Sequence, residues 1–468
     1  MRISESESGK KYTSGGKVKI HGADIEYSVT SEETLLDGRG GKLAASMFSY
    51  SYLRCGVEHP ERRPVMFVYN GGPGSSSHLL HVGFFGTERA KIVPGEPLPA
   101  VPPYNVEPNP HCILDVCDIV LVDPVDTGFA RLIDPSAADE FFGVEQDAAA
   151  MAIFIENWLD CYDRRDSPVY LCGESYGTMR SAVLANTLMG GVAPRRFTGI
   201  SVNGIIMMGS TFHLEDEPMY VEPSVLNLMS YAAAHRYHHN MEVPLADFVE
   251  DAYRFSVTDY AHALLLGDYL PVDERKTVIE RLSYFTGIGE GYFHQNGLRL
   301  ATRDFLGNVL RNRGLECGAY DSRITLPLSS LTGPRDSFDD PSLASSTPMY
   351  TSLFHSNFVK KLGIDLKREY IATNIESNIR WNWHCERTPL QSLSASMRRN
   401  PSLRVLFATG LYDLCTCAGY ARYVIAQDGL PLDRIVRREY EGGHMIYTNE
   451  SAAAELEQDI RDFIAIEG

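Results

Sequence analysis

The order of apolar and polar positions gives the chain three successive rhythms. Near the N-terminus, KVKIHGADIEYSV (17–29) and KLAASMFSYSYL (42–53) alternate apolar with polar residues, the period-2 pattern of strands with one buried face. Residues 1–17 lack that signal and are expected to be disordered or loose. RRPVMFVYN (62–70), SPVYLCGES (167–175) and FTGISVNGIIMMG (197–209) read as further strands. DIVLVD (118–123) is a near-continuous apolar run, as in strands buried on both faces of a parallel sheet. Helical periodicity fills EFFGVEQDAAAMAIFIENWLDCYD (140–163) and TMRSAVLANTLMG (178–190). From about 211 to 370 the pattern changes to helices and loops rich in Tyr and His. Beyond 400, strand and helix alternate again in SLRVLFATG, CAGYARYVIAQDG, RIVRREYEGG and SAAAELEQDIRDFIAI.

This order predicts an α/β fold, a mostly parallel central sheet flanked by helices. Its core spans 18–210 and 371–468, and 211–370 form a mainly helical insertion of lid or cap type. Composition leaves that picture intact: 468 residues, 44% hydrophobic and 22% charged, are ordinary for a globular chain. The net charge of −18 repels polyphosphate, so nucleic acid is not an expected partner. No run approaches the roughly 18 apolar residues of a membrane span, so no membrane partner is expected either. The polar N-terminus shows no secretory h-region. Nine cysteines, an odd number without framework spacing, sit partly inside apolar runs. Together these features point to a cytoplasmic, reducing compartment.

Candidate chemistry concentrates in the α/β portions. Gly173-Glu174-Ser175-Tyr176-Gly177 is a G-x-S-x-G between an expected strand and an expected helix, the setting of a nucleophile elbow. A serine hydroxyl needs a base and an acid that orients it. Asp413 follows the strand LRVLFATG and His444 follows RIVRREY, which is the order and placement such a fold requires. His235, His238 and His239 have no standard metal spacing and read as a solvated helix face; Cys415 and Cys417 read as packing thiols. No metal or cofactor is expected. The glycine-rich NGGPGSSS (70–77) lacks both the G-K-[ST] ending of a P-loop and dinucleotide-binding spacing.

NGGPGSSS, VDPVDTGFA (122–130), GESYG (173–177), GLYDLC (410–415) and GGHMIY (442–447) stand in the order seen in the serine carboxypeptidases, which this sequence resembles. AYDSRI and MYTSLFHSNFVKKLGI are more similar to bacterial-type members. The resemblance implies an α/β-hydrolase fold and hydrolysis of the C-terminal residues of peptides or acyl-amino acids through an acyl-enzyme. It implies Ser175 as nucleophile, His444 as base and then acid, and Asp413 as its orienting partner. It places the oxyanion hole at the backbone N–H groups of Gly72 and Tyr176, and the substrate's α-carboxylate at Asn70, the Gly71 backbone and Glu174. Two carboxylates repel unless one holds a proton, so Glu174 is expected to bind as the acid. The sequence departs from better-known members at two points. Phe84 stands near the place of a second glutamate, and Ser75 stands where they carry a disulfide-forming cysteine.

The main alternative keeps the same triad in an esterase or acyltransferase. A third reading, a non-catalytic binding protein on a hydrolase fold, is opposed by the intact set of candidate catalytic residues.

Overall fold

The apolar runs become the middle of one twisted sheet. The computed structural model describes the chain except residues 6–8, 94–97, 192–197, 215–221, 329–339, 428 and 466–468. Among the described residues ten strands form the sheet. Their order is Arg2–Ile3, Ala23–Asp37, Leu43–Arg54, Asp118–Asp123, Val65–Tyr69, Val169–Glu174, Val202–Met208, Arg404–Gly410 and Ile435–Tyr440, with Lys11–Ile20 paired to Ala23–Asp37 beside this path. The last six of the path run parallel; the N-terminal strands join antiparallel.

Val65–Tyr69, Asp118–Asp123 and Val169–Glu174 are buried along their whole length, which is why their sequences do not alternate. Their side chains still divide by period 2. Val65, Phe67, Val120 and Leu171 meet Phe154, Trp158, Met179 and Leu393 on one face. Met66, Val68, Ile119 and Leu121 meet Tyr350, Leu353, Leu456 and Ile460 on the other. The parallel strands thus deliver Asn70, Ser175, Asp413 and His444, each just past a C-terminal strand end, to one edge of the sheet.

The N-terminus differs from expectation. Residues 11–20 are not loose but pair from end to end with Ala23–Asp37, from Lys11↔Glu32 to Ile20↔Ala23. The two-residue turn has positive φ at both positions, 46° at His21 and 87° at Gly22, the geometry of a type I′ hairpin. One face of the strand is solvent-exposed and the other only partly covered until Val18 and Ile20, so its composition resembles a free tail.

Packing also subdivides the stretch 211–370. Helices Pro223–His239, Leu245–Phe255, Val272–Thr286 and Thr302–Asn308 share a separate core around Leu228, Tyr231, Phe248, Phe285 and Phe305. The later helix Pro341–Leu353 and the turns after it instead place Met349, Tyr350, Phe354 and Phe358 in the main core with Phe48, Val82 and Phe84. The histidines 235, 238 and 239 are half-buried rather than solvated: His238 Nε2 lies 2.7 Å from the Ser322 carbonyl, and the rings of His235 and His239 are 4.6 Å apart. Among the described residues no group of three His, Cys, Asp or Glu is arranged to hold a metal ion.

Candidate active site

The sharp turn after Val169–Glu174 is enforced by contact distances. A Cβ on Gly173 would lie 2.1 Å from the carbonyl oxygen of Gly177, so only glycine allows the strand to fold directly into helix Tyr176–Leu188. Ser175, at the apex, has φ 57° and ψ −127°, a strained backbone for a residue with a side chain. The strain is held by hydrogen bonds from the Ser175 amide to the Met208 carbonyl (2.9 Å) and from the Thr178 amide to the Ser175 carbonyl (2.8 Å).

His444 reaches the same edge from the loop after Ile435–Tyr440. Its Nδ1 lies 2.8 Å from Oδ2 of the fully buried Asp413. Asp413 is itself fixed on both oxygens: Oδ1 accepts from the Cys415 and Thr416 amides at 2.7 and 2.9 Å, and Oδ2 accepts from the Thr416 hydroxyl at 2.5 Å. The Thr416 hydroxyl also lies 3.0 Å from His444 Nδ1. The His444 amide donates to the Tyr320 carbonyl at 2.6 Å, and the Tyr320 ring stands at 85° to the imidazole, 5.2 Å away. Burial alone would lower the His444 pKa, but the charge and hydrogen bond of Asp413, with Glu174 and Asp340 beyond, raise it above its ordinary value.

Ser175, His444, Glu174, Asn70, Gly71 and Gly72 line one cavity of about 200 Å³. Asp413 stands behind His444, and the ring of Tyr176 turns away into the core against Trp381 and Trp383, 5.4 and 5.9 Å between centroids. The Tyr176 amide stays at the site: a Cβ on Gly71 would come within 2.6 Å of it. The glycine-rich loop and the elbow are therefore in backbone contact.

Glu174 is 3% exposed. Its Oε2 accepts from Asn70 Nδ2 at 2.5 Å and lies 3.5 Å from the Tyr447 hydroxyl, while Oε1 has no partner among the described residues. Burial is the main cause that lifts its pKa to about 7; Asp413 adds to this, and His444, Tyr447 and Asn70 oppose it. Asn70 is held in turn, with its side-chain oxygen accepting from the Leu80 amide at 3.1 Å and its carbonyl accepting from Arg180 at 2.8 Å. Arg180 is wholly buried and pairs with Asp147 at 2.6 Å. Arg180→Met would leave Asp147 as an uncompensated buried carboxylate and the Asn70 carbonyl without its donor. We expect it to lower stability by about 3–5 kcal/mol. Urea unfolding checks this, and the double change with Asp147→Leu should recover a large part of the loss.

Sequence reasoning missed Thr416, Tyr320, Tyr447 and Arg180, which act through contacts that no local pattern announces. It also assigned nothing to the loop serines, yet the Ser77 amide and hydroxyl bond Asp123 Oδ1 at 2.8 and 2.7 Å, tying the glycine-rich loop to VDPVDTGFA. Phe84, near the place of the second glutamate, is buried with its ring 6.1 Å from that of Tyr447.

Residues 43–247 match the family of serine carboxypeptidases. Among solved structures the chain is similar to Kex1(delta)p, a prohormone-processing carboxypeptidase from Saccharomyces cerevisiae, with a TM-score of 0.53 and 14% identity over 92% of this chain and 91% of that one. Esterase E22 is also similar, with a TM-score of 0.41 and 10% identity over 97% and 100% of the two chains. No curated protein sequence matches. The elbow and the glycine-rich loop lie inside the matched stretch, which is less than half of the chain, and the mostly parallel sheet flanked by helices has the α/β-hydrolase fold.

Proposed function

We propose that the enzyme removes single C-terminal residues from peptides or acyl-amino acids through Ser175, His444 and Asp413. The observation that carries this reading is a buried carboxyl group with a pKa lifted to about 7, in the same cavity as the nucleophile and held by Asn70. A general esterase has no need of such a group, whereas a carboxypeptidase must neutralise or hydrogen-bond a terminal carboxylate.

In this mechanism the Ser175 hydroxyl attacks the last peptide carbonyl while His444 Nε2 takes its proton and Asp413 stabilises the imidazolium. The Gly72 and Tyr176 amides donate to the developing oxyanion; one such donor contributes about 3–4 kcal/mol. His444 then protonates the departing amine, and the terminal amino acid leaves. Water, deprotonated by His444, attacks the acyl-enzyme and frees Ser175. Throughout the first half, Asn70, the Gly71 backbone and protonated Glu174 hold the α-carboxylate.

The test compares a blocked dipeptide with its C-terminal amide across pH. The ratio of kcat/KM for acid over amide cancels the titration of His444, which serves both substrates. Glu174 is protonated below its raised pKa and becomes a repelling carboxylate above it. The ratio should therefore be high and level in acid, then fall by up to about tenfold per pH unit above pH 7. Equal turnover of acid and amide at every pH would sink the carboxypeptidase reading and favour an esterase or acyltransferase using the same triad.

A further inference from the structure

We infer that Tyr447 is the positioning residue for Glu174, a phenol standing in for the second carboxyl group that position 84 does not supply; this rests on the carboxypeptidase reading above. Tyr447 follows His444 by three residues in the turn Ile446–Thr448, so the loop that carries the base also carries this hydroxyl. Its ring is fully buried, and its oxygen lies 3.5 Å from Glu174 Oε2. Asn70 donates to that same oxygen. With both donors on Oε2, Oε1 is left as the oxygen that carries the proton and offers it to a substrate carboxylate.

The seat for this phenol is built into the preceding segment. A Cβ on Gly83 would lie 2.3 Å from Cε2 of Tyr447 and 3.3 Å from Cε1 of Tyr350, so any side chain there would displace the Tyr447 ring. Phe84 closes the space next to it, its ring 6.1 Å from Tyr447 and edge-on to Phe85. Gly83 and Phe84 thus form a socket that holds the Tyr447 ring.

A phenol differs from a second acid in one functional respect: it keeps its proton throughout the working range. Two facing carboxyls would titrate as a coupled pair. Here the titratable groups around Glu174 are Tyr447, Tyr350, Tyr320, Cys172, His444 and Asp413. Burial pushes the three phenols and the thiol further up, away from neutrality. Glu174 is then the one carboxyl of the grip that titrates, with its proton coupled to His444 and Asp413 and not to a second acid at position 84.

Tyr447→Phe tests this, because it keeps the ring in its socket and removes only the hydroxyl. On the acid limb we expect KM for the blocked dipeptide to rise about five- to tenfold with kcat within about twofold, while kinetics on the C-terminal amide stay unchanged. The fall of the acid-to-amide ratio should also move to higher pH, since the hydroxyl favours the ionised form of Glu174 and its loss raises the pKa. Gly83→Ala, with folding followed by circular dichroism, should raise the same KM by displacing the same ring. An unchanged KM and pH limb in Tyr447→Phe would overturn the inference while leaving the carboxypeptidase reading intact. A loss shared equally by acid and amide would also overturn it, as a purely structural effect. A parent enzyme that does not prefer the acid at any pH would overturn both.

Discussion

Ser175→Ala is expected to lower kcat by about a million-fold and to abolish labelling by a fluorophosphonate probe. The size follows from how the site divides its work. His444 and Asp413 act only on the proton of the serine hydroxyl, so without Ser175 they have nothing to activate, and removing them as well should add little. The substitution keeps the Cβ and hence the backbone at φ 57°, with its amide still bonded to Met208, so the fold should be undisturbed. Substrate binding is a separate matter, because Asn70, Gly71 and Glu174 remain in place. Calorimetry should therefore find Ser175→Ala binding a blocked dipeptide acid in preference to its amide below pH 7. Residual turnover above about a thousandth of the parent rate would point to another nucleophile and sink the assignment of Ser175.

Much of this arrangement is visible in the sequence, for reasons that differ from one element to the next. The elbow around Ser175 is legible because its geometry demands glycine: with a Cβ on Gly173 in contact with the Gly177 carbonyl, the turn cannot be written with other residues. Asp413 and His444 are legible by order along the chain, since loops at the C-terminal edge of a parallel sheet converge. The buried strands announce themselves through unbroken apolar runs. The hairpin Lys11–Ile20 does not, because a strand with an open face carries tail-like composition, and only the I-H-G-A turn betrays it. The supports of the site are the least legible. Arg180 meets the Asn70 carbonyl across 110 positions, and Tyr447 meets Glu174 across 273. Such contacts exist only once the sheet has been assembled, so no window along the sequence contains both partners.

Asp413→Asn is expected to lower kcat by about ten thousand-fold at neutral pH, with KM little changed. Asp413 presents four acceptor positions, and all four are used: the Cys415 and Thr416 amides on Oδ1, the Thr416 hydroxyl and His444 Nδ1 on Oδ2. Asparagine can keep the two amide donors on its carbonyl oxygen, which places its NH2 group where Oδ2 was. That donor satisfies a bare Nδ1 and drives the imidazole proton to Nε2, facing Ser175, where it can no longer accept the serine proton. The imidazolium also loses its principal counter-charge. The His444 pKa, raised in the parent mainly by Asp413, should fall, and the acid limb of the residual kcat should move to lower pH. Glu174 and Asp340 also raise the His444 pKa, but among the described residues Nδ1 meets Asp413 and Thr416 instead, so neither acid restores the tautomer. Proton NMR offers a direct check: the downfield signal of the Nδ1–H···Asp413 bond should be present in the parent and missing in the variant. A variant that retained more than a tenth of parent kcat with that signal intact would show that Thr416, 3.0 Å from Nδ1, suffices to orient the base.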